Sequence, residues 1–317
     1  MTTYIVRRAL QLVVVLFGIT VLLFVVLKLT PGDPARVMAG LGATPEVIEA
    51  IRAKLGLDQP LHVQYWRLIS GIFNGNLEAA TYNKSVWIVI SERLPATIEL
   101  GVIALTLALV VSVPSGVLAA IYRNTAIDYG VTILSIAGVS IPVFWFAMML
   151  ITLFGVKLRI LPVSGRGEVV GAWSFLTVDG LRHLVIPAIA LGAQQMAMNA
   201  RLVRANMLEV LRQEYIKTAR SKGLREWTTI MRHAFPNALA PLLTNVGLQI
   251  GALFAGAVVT ETVTAWPGIG RLMMQSILRR DQSVVFGLAL LIAAIYMISN
   301  LVIDLAYAYI DPRVTYD

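Results

Sequence analysis

The chain has 317 residues, of which 57% are hydrophobic and only 14% charged, and its mean hydropathy is +0.76. A soluble domain carries roughly 25% charged residues, so this composition excludes an ordinary cytosolic enzyme, a disordered protein and a DNA-binding domain. The formal net charge of +8 needs no nucleic-acid partner, because cytoplasmic Lys and Arg produce the same excess in a membrane chain, and the absence of cysteine removes disulfides, thiolate metal sites and a Cys nucleophile.

A helix that crosses a bilayer needs about 20 largely apolar residues. Six charge-free runs answer to that requirement: 9–27, 100–122, 129–156, 184–200, 234–260 and 282–303. They predict an all-α polytopic membrane protein with six transmembrane helices embedded in the lipid bilayer. The first run follows Arg7 and Arg8, but its apolar core is too long for a typical signal peptide and no A-x-A site follows it, so it reads as a retained helix. The fourth run is the shortest, and Arg201 and Arg204 extend it by reaching their charged ends toward the interface.

Residues 30–95 form a loop with structure of its own. Thr44 is a candidate N-cap, Pro45 suits the first helical position and Gly56 the C-terminal cap, with Val47, Ile48, Ile51 and Leu55 on one face between them. A second amphipathic piece starts at Pro60, runs through Tyr65, Trp66, Leu68, Ile69 and Ile72, and ends at Asn74-Gly75-Asn76. A third, 86–93, leads through Pro95 into the second span. The loop is either a cap on the membrane interface, with Tyr65, Trp66 and Trp87 as aromatic anchors, or a docking face for an external partner. Three segments follow: 1–29 (N-terminus and first span), the external loop 30–95, and a core domain 96–317 that includes a cytoplasmic loop, 203–236.

Orientation rests on that last loop. The total Lys/Arg tally is nearly even on the two sides, and Arg279 and Arg280 favour the opposite arrangement. The eight-charge cluster Arg201, Arg204, Arg212, Lys217, Arg220, Lys222, Arg225 and Arg232 borders a span directly and places both termini in the cytoplasm. Within it, a helical face through Val203, Met207, Val210 and Leu211 leaves the fourth span. A second helix, 214–221, stops at Lys222-Gly223, where glycine permits the left-handed backbone. A third pattern, Leu224, Trp227, Ile230, Met231 and Ala234, returns through Phe235-Pro236. Ala219 and Gly223 are small and four apart, which suits close approach by another surface; the plainer alternative is a stop-transfer charge cluster.

The spacing of Ala219, Gly223 and Phe235-Pro236 resembles the "EAA" loop of ABC-importer permeases, with Lys217 and Thr218 in place of the usual Glu and Ala, and His233 in place of an aliphatic residue. The run Glu214-Tyr215-Ile216-Lys217-Thr218-Ala219-Arg220-Ser221-Lys222-Gly223-Leu224 is similar to the dipeptide/oligopeptide/nickel branch. Leu29-Thr30-Pro31-Gly32-Asp33-Pro34, Glu92-Arg93-Leu94-Pro95-Ala96-Thr97, Trp266-Pro267-Gly268-Ile269-Gly270 and Asp311-Pro312-Arg313 agree with it, and the long first loop resembles the first, "B-type" permease of the pair. The resemblance implies a type I ABC-importer permease fold with a small helical external subdomain. It implies a complex with a second related permease, two ATPase subunits that bind ATP and Mg, and an extracytoplasmic substrate-binding protein, in a bacterial or archaeal cytoplasmic membrane. This chain would bind no cofactor or metal and would not be an enzyme; no G-x-x-x-x-G-K-[ST] loop occurs in it. Expected ATPase contacts are Glu214, Tyr215, Ala219, Arg220, Gly223 and Leu224. Peptides are the implied substrate, with nickel complexes, glutathione and opine-like solutes as alternatives within the family.

Polar residues inside spans face protein or water rather than lipid. Gln194, Gln195 and Asn199 on the fourth run, with Asn245 and Gln249 on one face of the fifth, either line a pathway or join helices to each other. Glu261 and Trp266 are candidates for an external gate, or are an interfacial carboxylate and a tight loop. A secondary transporter would carry ionisable residues within its spans for ion coupling; the six runs contain none, by their definition as charge-free stretches, although Asp128, Glu261 and Asp304 border them. A membrane-embedded hydrolase would need nucleophile and base together, and His183 and His233 fall near opposite membrane faces.

Overall fold

The computed structural model describes residues 2–40 and 42–310; the Asp311-Pro312-Arg313 motif lies outside them. In chain order the elements are α1 (Thr2–Leu29), α2 (Pro34–Ala39), α3 (Pro45–Leu55), α4 (Leu61–Phe73), a two-stranded hairpin β1 (Glu78–Ala79) and β2 (Lys84–Ser85), α5 (Val86–Ile121), α6 (Ala126–Ser140) and α7 (Val143–Leu150). A π-helical turn (Ile151–Lys157) continues α7. Then come α8 (Val178–Val210), α9 (Glu214–Ser221), α10 (Glu226–Thr228), a second π-helical turn (Thr229–Ala234), α11 (Phe235–Val263), α12 (Ile269–Leu278) and α13 (Gln282–Ile310).

All six apolar runs lie on helices. Leu10–Leu29, Val86–Ile121 and Gln282–Val302 are each long and apolar enough to cross a membrane, and α8 and α11, at 33 and 29 residues, exceed the length a crossing needs. The third run is not one rod. It breaks at Ile141-Pro142, where α6 and the α7 segment meet at 108°; Pro142 cannot donate a backbone hydrogen bond and biases Ile141 to the extended conformation it adopts (ψ 125°). Pro95, by contrast, interrupts nothing, and α5 runs unbroken through it.

The chain forms two compact units, Met1–Thr97 with Pro267–Asp317, and Ile98–Trp266. In the first, α1 packs along α13. Pro45 begins α3 after Thr44, whose side chain makes no capping hydrogen bond, and Gly56 ends the helix in the left-handed region (φ 68°), its N–H bonded to the Ala53 and Arg52 carbonyls. Asp33 caps α2 through Ala35 N and pairs with Arg52 of α3 at 2.5 Å. Of the three expected aromatic anchors only Trp66 is freely exposed. Tyr65 packs edge-on against Phe24 and hydrogen-bonds Thr20 at 2.8 Å, and the Trp87 indole N–H donates to the Ile72 carbonyl. Helix α12 had no counterpart in the sequence reading; Ile269, Leu272 and Ser276 form its buried stripe.

In the second unit α8 is central, packing on α6, α7 and α11. Small residues bring α5 and α8 together: a Cβ at Gly116 would stand 2.6 Å from the Ala200 carbonyl oxygen and 2.8 Å from Val203 Cβ.

Candidate functional site

Helix α9 and its flanks form a small knob on the ends of α8 and α11. It starts after α8 ends at Val210, and its core is Ile216, buried with Met207 and Val203 of α8, Ile230 and Ala234 of the π-helical turn, and Val117 of α5. The remaining surface of α9 is polar and exposed. Glu214 pairs with Lys217 at 2.7 Å. Arg220 reaches Glu226 of α10 with two bonds, at 3.0 and 2.5 Å, and so ties the two sides of the break together. The Arg220 hydrogen bond holds the Glu226 carboxyl below the usual glutamate range, and the same bond raises the guanidinium above its ordinary value. Gly223 turns the chain at φ 76°, and a Cβ there would meet nothing within 4 Å.

The six expected contact residues therefore divide. Glu214, Tyr215, Arg220, Gly223 and Leu224 are on the exposed surface. Ala219 is buried at 8% exposure, on the inward side of α9 with Ile216, so it is a spacer beneath the surface in this chain rather than part of a small-residue face shared with Gly223. Trp227 joins the exposed set. Its place in an apolar pattern pointed to packing with Ile230, yet it is 65% exposed while Ile230 is buried. The π-helical turn that follows Trp227 shifts the phase on which that pattern relied.

The span polar residues also divide. Asn199 of α8 and Gln249 of α11 exchange both amide bonds: Asn199 Nδ2 donates to Gln249 Oε1 at 3.2 Å, and Gln249 Nε2 donates to Asn199 Oδ1 at 2.7 Å. Asn245 Nδ2 donates to the same Asn199 oxygen at 3.0 Å. Asn199 and Gln249 are buried, so these three residues form an interhelical joint in this conformation. Gln194 and Gln195 stand apart from it. Gln194 is exposed beside the α6–α7 break, and Gln195 Oε1 is buried with no hydrogen-bond partner among the described residues.

At the other end of α11, Glu261 and Trp266 are both fully buried. The Trp266 N–H bonds the Glu261 carbonyl at 2.9 Å across a turn that holds Ala265 at φ 54°. The Thr264 carbonyl accepts from Gly165 N, and the Arg166 guanidinium lies 5.7 Å from the Trp266 ring centre. Arg166 also forms an ion pair with Glu99 of α5. Nε and Nη2 donate to Glu99 Oε2 at 3.0 and 2.5 Å, and Ser174 N, Ser174 Oγ and Phe175 N converge on Oε1 at 2.7, 2.9 and 2.7 Å. A second pair, Arg204 to Asp128, joins α8 to the start of α6 through bonds of 2.5 and 2.8 Å. Neither pair was read from sequence. Each carboxylate sits one residue outside an apolar run, and its partner is at least 67 residues away.

A family model described as the binding-protein-dependent transport system inner membrane component matches residues 112–316, and its N-terminal counterpart matches 1–101. The di/tripeptide transport system permease protein DppB of Pseudomonas aeruginosa is 41% identical over 99% of each chain. A probable D,D-dipeptide transport system permease protein, DdpB, of Escherichia coli is 41% identical over 97% of this chain and 96% of that one, and the E. coli dipeptide permease protein DppB is 39% identical over 99% of both. Among solved structures, a chain of the MetNI methionine ABC transporter superposes with a TM-score of 0.50 at 17% identity, covering 76% of this chain and 96% of that chain. That likeness supports the fold.

Proposed function

Because this chain belongs to the family of binding-protein-dependent transport system inner membrane components, we propose that it is one permease subunit of an ATP-driven importer of di- or oligopeptides. It forms half of the translocation pathway with a second, related permease. Two ATPase subunits carry the nucleotide and its Mg, an external binding protein delivers the peptide, and this chain performs no chemistry of its own. Both termini face the cytoplasm, residues 30–95 are external, and the core domain 96–317 carries the coupling loop 203–236. Relatives named for di- and tripeptides support a peptide substrate over nickel complexes, glutathione or opine-like solutes.

The observation that carries the coupling reading is the knob itself. Its inner side is seated on α8 and α11 through Ile216, Met207 and Ala238, so a push on its outer side is delivered to two long helices. Its outer side keeps Tyr215, Leu224 and Trp227 exposed at 44%, 40% and 65%, and exposed Tyr and Trp rings such as the first and last of these anchor protein contacts. Glu214, Tyr215, Arg220, Gly223 and Leu224 are assigned to that contact, with Ala219 setting the depth of α9 beneath it. Gln194 and Gln195 are assigned to the pathway wall. Asn199, Asn245 and Gln249 hold the two pathway helices together, and Glu261 and Trp266 belong to the outer closure.

The test combines extraction with transport. A tagged chain drawn from its native membrane in mild detergent should bring a second permease and ATPase subunits with it, and Gly223→Asp should lower peptide uptake by about tenfold or more at normal membrane levels. The substitution is a clean probe. Asp tolerates the left-handed backbone better than most residues, and nothing in this chain obstructs its Cβ. Unchanged uptake would remove the knob from the coupling path, and a chain that is always recovered alone would remove the importer reading.

A further inference from the structure

A cavity of about 480 Å³ lies where the C-terminal end of α1 meets the N-terminal end of α13, with α3 and α4 supplying other walls. Lys28, Lys54, Arg67 and Arg280 line it, against Glu78 and Asp281. The Asp281 carboxylate is turned to backbone instead of to these cations: it is buried and accepts from Thr81 N at 2.9 Å and Val284 N at 3.3 Å. Among the described residues, none of the four cations makes an ion pair. Arg67 donates to the Lys54 carbonyl at 3.1 Å, Arg280 to the Pro31 carbonyl and Lys28 to the side-chain oxygen of buried Gln64. These neutral acceptors fix the positions of the charges without cancelling them. Each guanidinium uses one of its five N–H groups in this way and keeps others for a further acceptor.

The position of the cavity selects the ligand. Lys28 lies in the last turn of an apolar span and Gln282 at the first residue of another, so both helices set the cavity at the level of a membrane boundary. In the two turns that precede Lys28, α1 exposes Leu22, Val25 and Val26 at 62%, 46% and 51%. A ligand with an anionic head and an apolar tail matches both surfaces together. We propose that this cavity binds the phosphodiester headgroup of an anionic phospholipid, with the acyl chains laid against the exposed side of α1. Phosphate oxygens suit guanidinium forks through paired, charge-assisted hydrogen bonds. A free phosphate ion shares the head chemistry but has no use for the apolar wall. The proposal stands apart from the substrate and holds whether or not the chain moves peptides.

The test is native mass spectrometry of the purified complex, released from detergent micelles titrated with phosphatidylglycerol, with phosphatidylcholine, or with phosphatidylglycerol in the presence of inorganic phosphate. Phosphatidylglycerol should be retained over phosphatidylcholine, and Arg67→Gln combined with Arg280→Gln should weaken that retention by about tenfold. Lys54→Gln breaks no side-chain hydrogen bond or ion pair among the described residues and keeps the test valid if the double variant misfolds; it should weaken retention by about threefold with an unchanged unfolding midpoint. Equal retention of the two lipids, or variants that retain phosphatidylglycerol like the parent, would overturn the proposal. Full displacement by inorganic phosphate at millimolar concentration would make this a free-anion site and overturn the lipid assignment. Variants that keep the lipid but lose stimulation by the external binding protein would show a protein-docking face and overturn it equally.

Discussion

Glu99 shows how much one side chain can organise. Its two oxygens receive five hydrogen bonds, and its side chain has no exposed surface. The charge is tolerated because Arg166 neutralises it and the Ser174 and Phe175 amides complete its shell; a buried charge that loses its partner is penalised heavily. Glu99→Gln should therefore leave Arg166, only 12% exposed, without its counter-charge and cost about 3 kcal/mol. Differential scanning fluorimetry of the purified complex checks this as a fall in unfolding midpoint, and a midpoint within error of the parent would show that the pair is dispensable. Little of this was legible beforehand. A criterion that seeks charge-free runs ends its segment at the very carboxylate that matters, and the sequence holds no signal linking Glu99 to an arginine 67 residues on. Gly223 was legible because a glycine between a short helix and a returning pattern has one conformational use. Trp227 was misplaced because a π-helical turn, which no periodicity of 3.6 anticipates, follows it.

At the scale of elements, local signals did best where the chain makes its own caps. Pro45 and Gly56 bound α3 in the structure as they do in the sequence, and α9 spans the residues its pattern predicted, because both helices are fixed by neighbours in the chain. The 108° break at Pro142 has a local cause in the missing N–H and the extended Ile141, whereas α12 is held by packing on α13, a contact that a single sequence does not display. The joint between α8 and α11 lies between these cases. Asn245 and Gln249 share a face by spacing alone, but only the structure supplies Asn199 as their common partner. The bonding pattern ranks its members. Asn199→Leu strands the Gln249 donor and acceptor together in a buried place and should cost about 2 kcal/mol or more, whereas Asn245→Leu removes one bond from a half-buried amide and should cost about 1 kcal/mol or less. Unfolding midpoints in one detergent measure both, and a larger loss for Asn245→Leu would contradict the assignment of Asn199 as the hub.

For the molecule as a whole, the proposed orientation has a simple readout, since the chain contains no cysteine. Single cysteines can be introduced without a background. Glu49→Cys, on exposed α3, should react with a membrane-impermeant maleimide added to sealed right-side-out vesicles, and Lys217→Cys, on exposed α9, should react only after permeabilisation. The opposite pattern would invert the chain and move the knob away from any cytoplasmic ATPase. The joint between α8 and α11 bears on the living membrane too. It is built entirely of amides, which carry no net charge and do not titrate across the physiological range. A transmembrane voltage does work on charges it moves, at about 2.3 kcal/mol per elementary charge for 100 mV, and on this joint it finds none. The contribution of this amide joint is therefore the same across an energised membrane and a depolarised one, at any proton gradient.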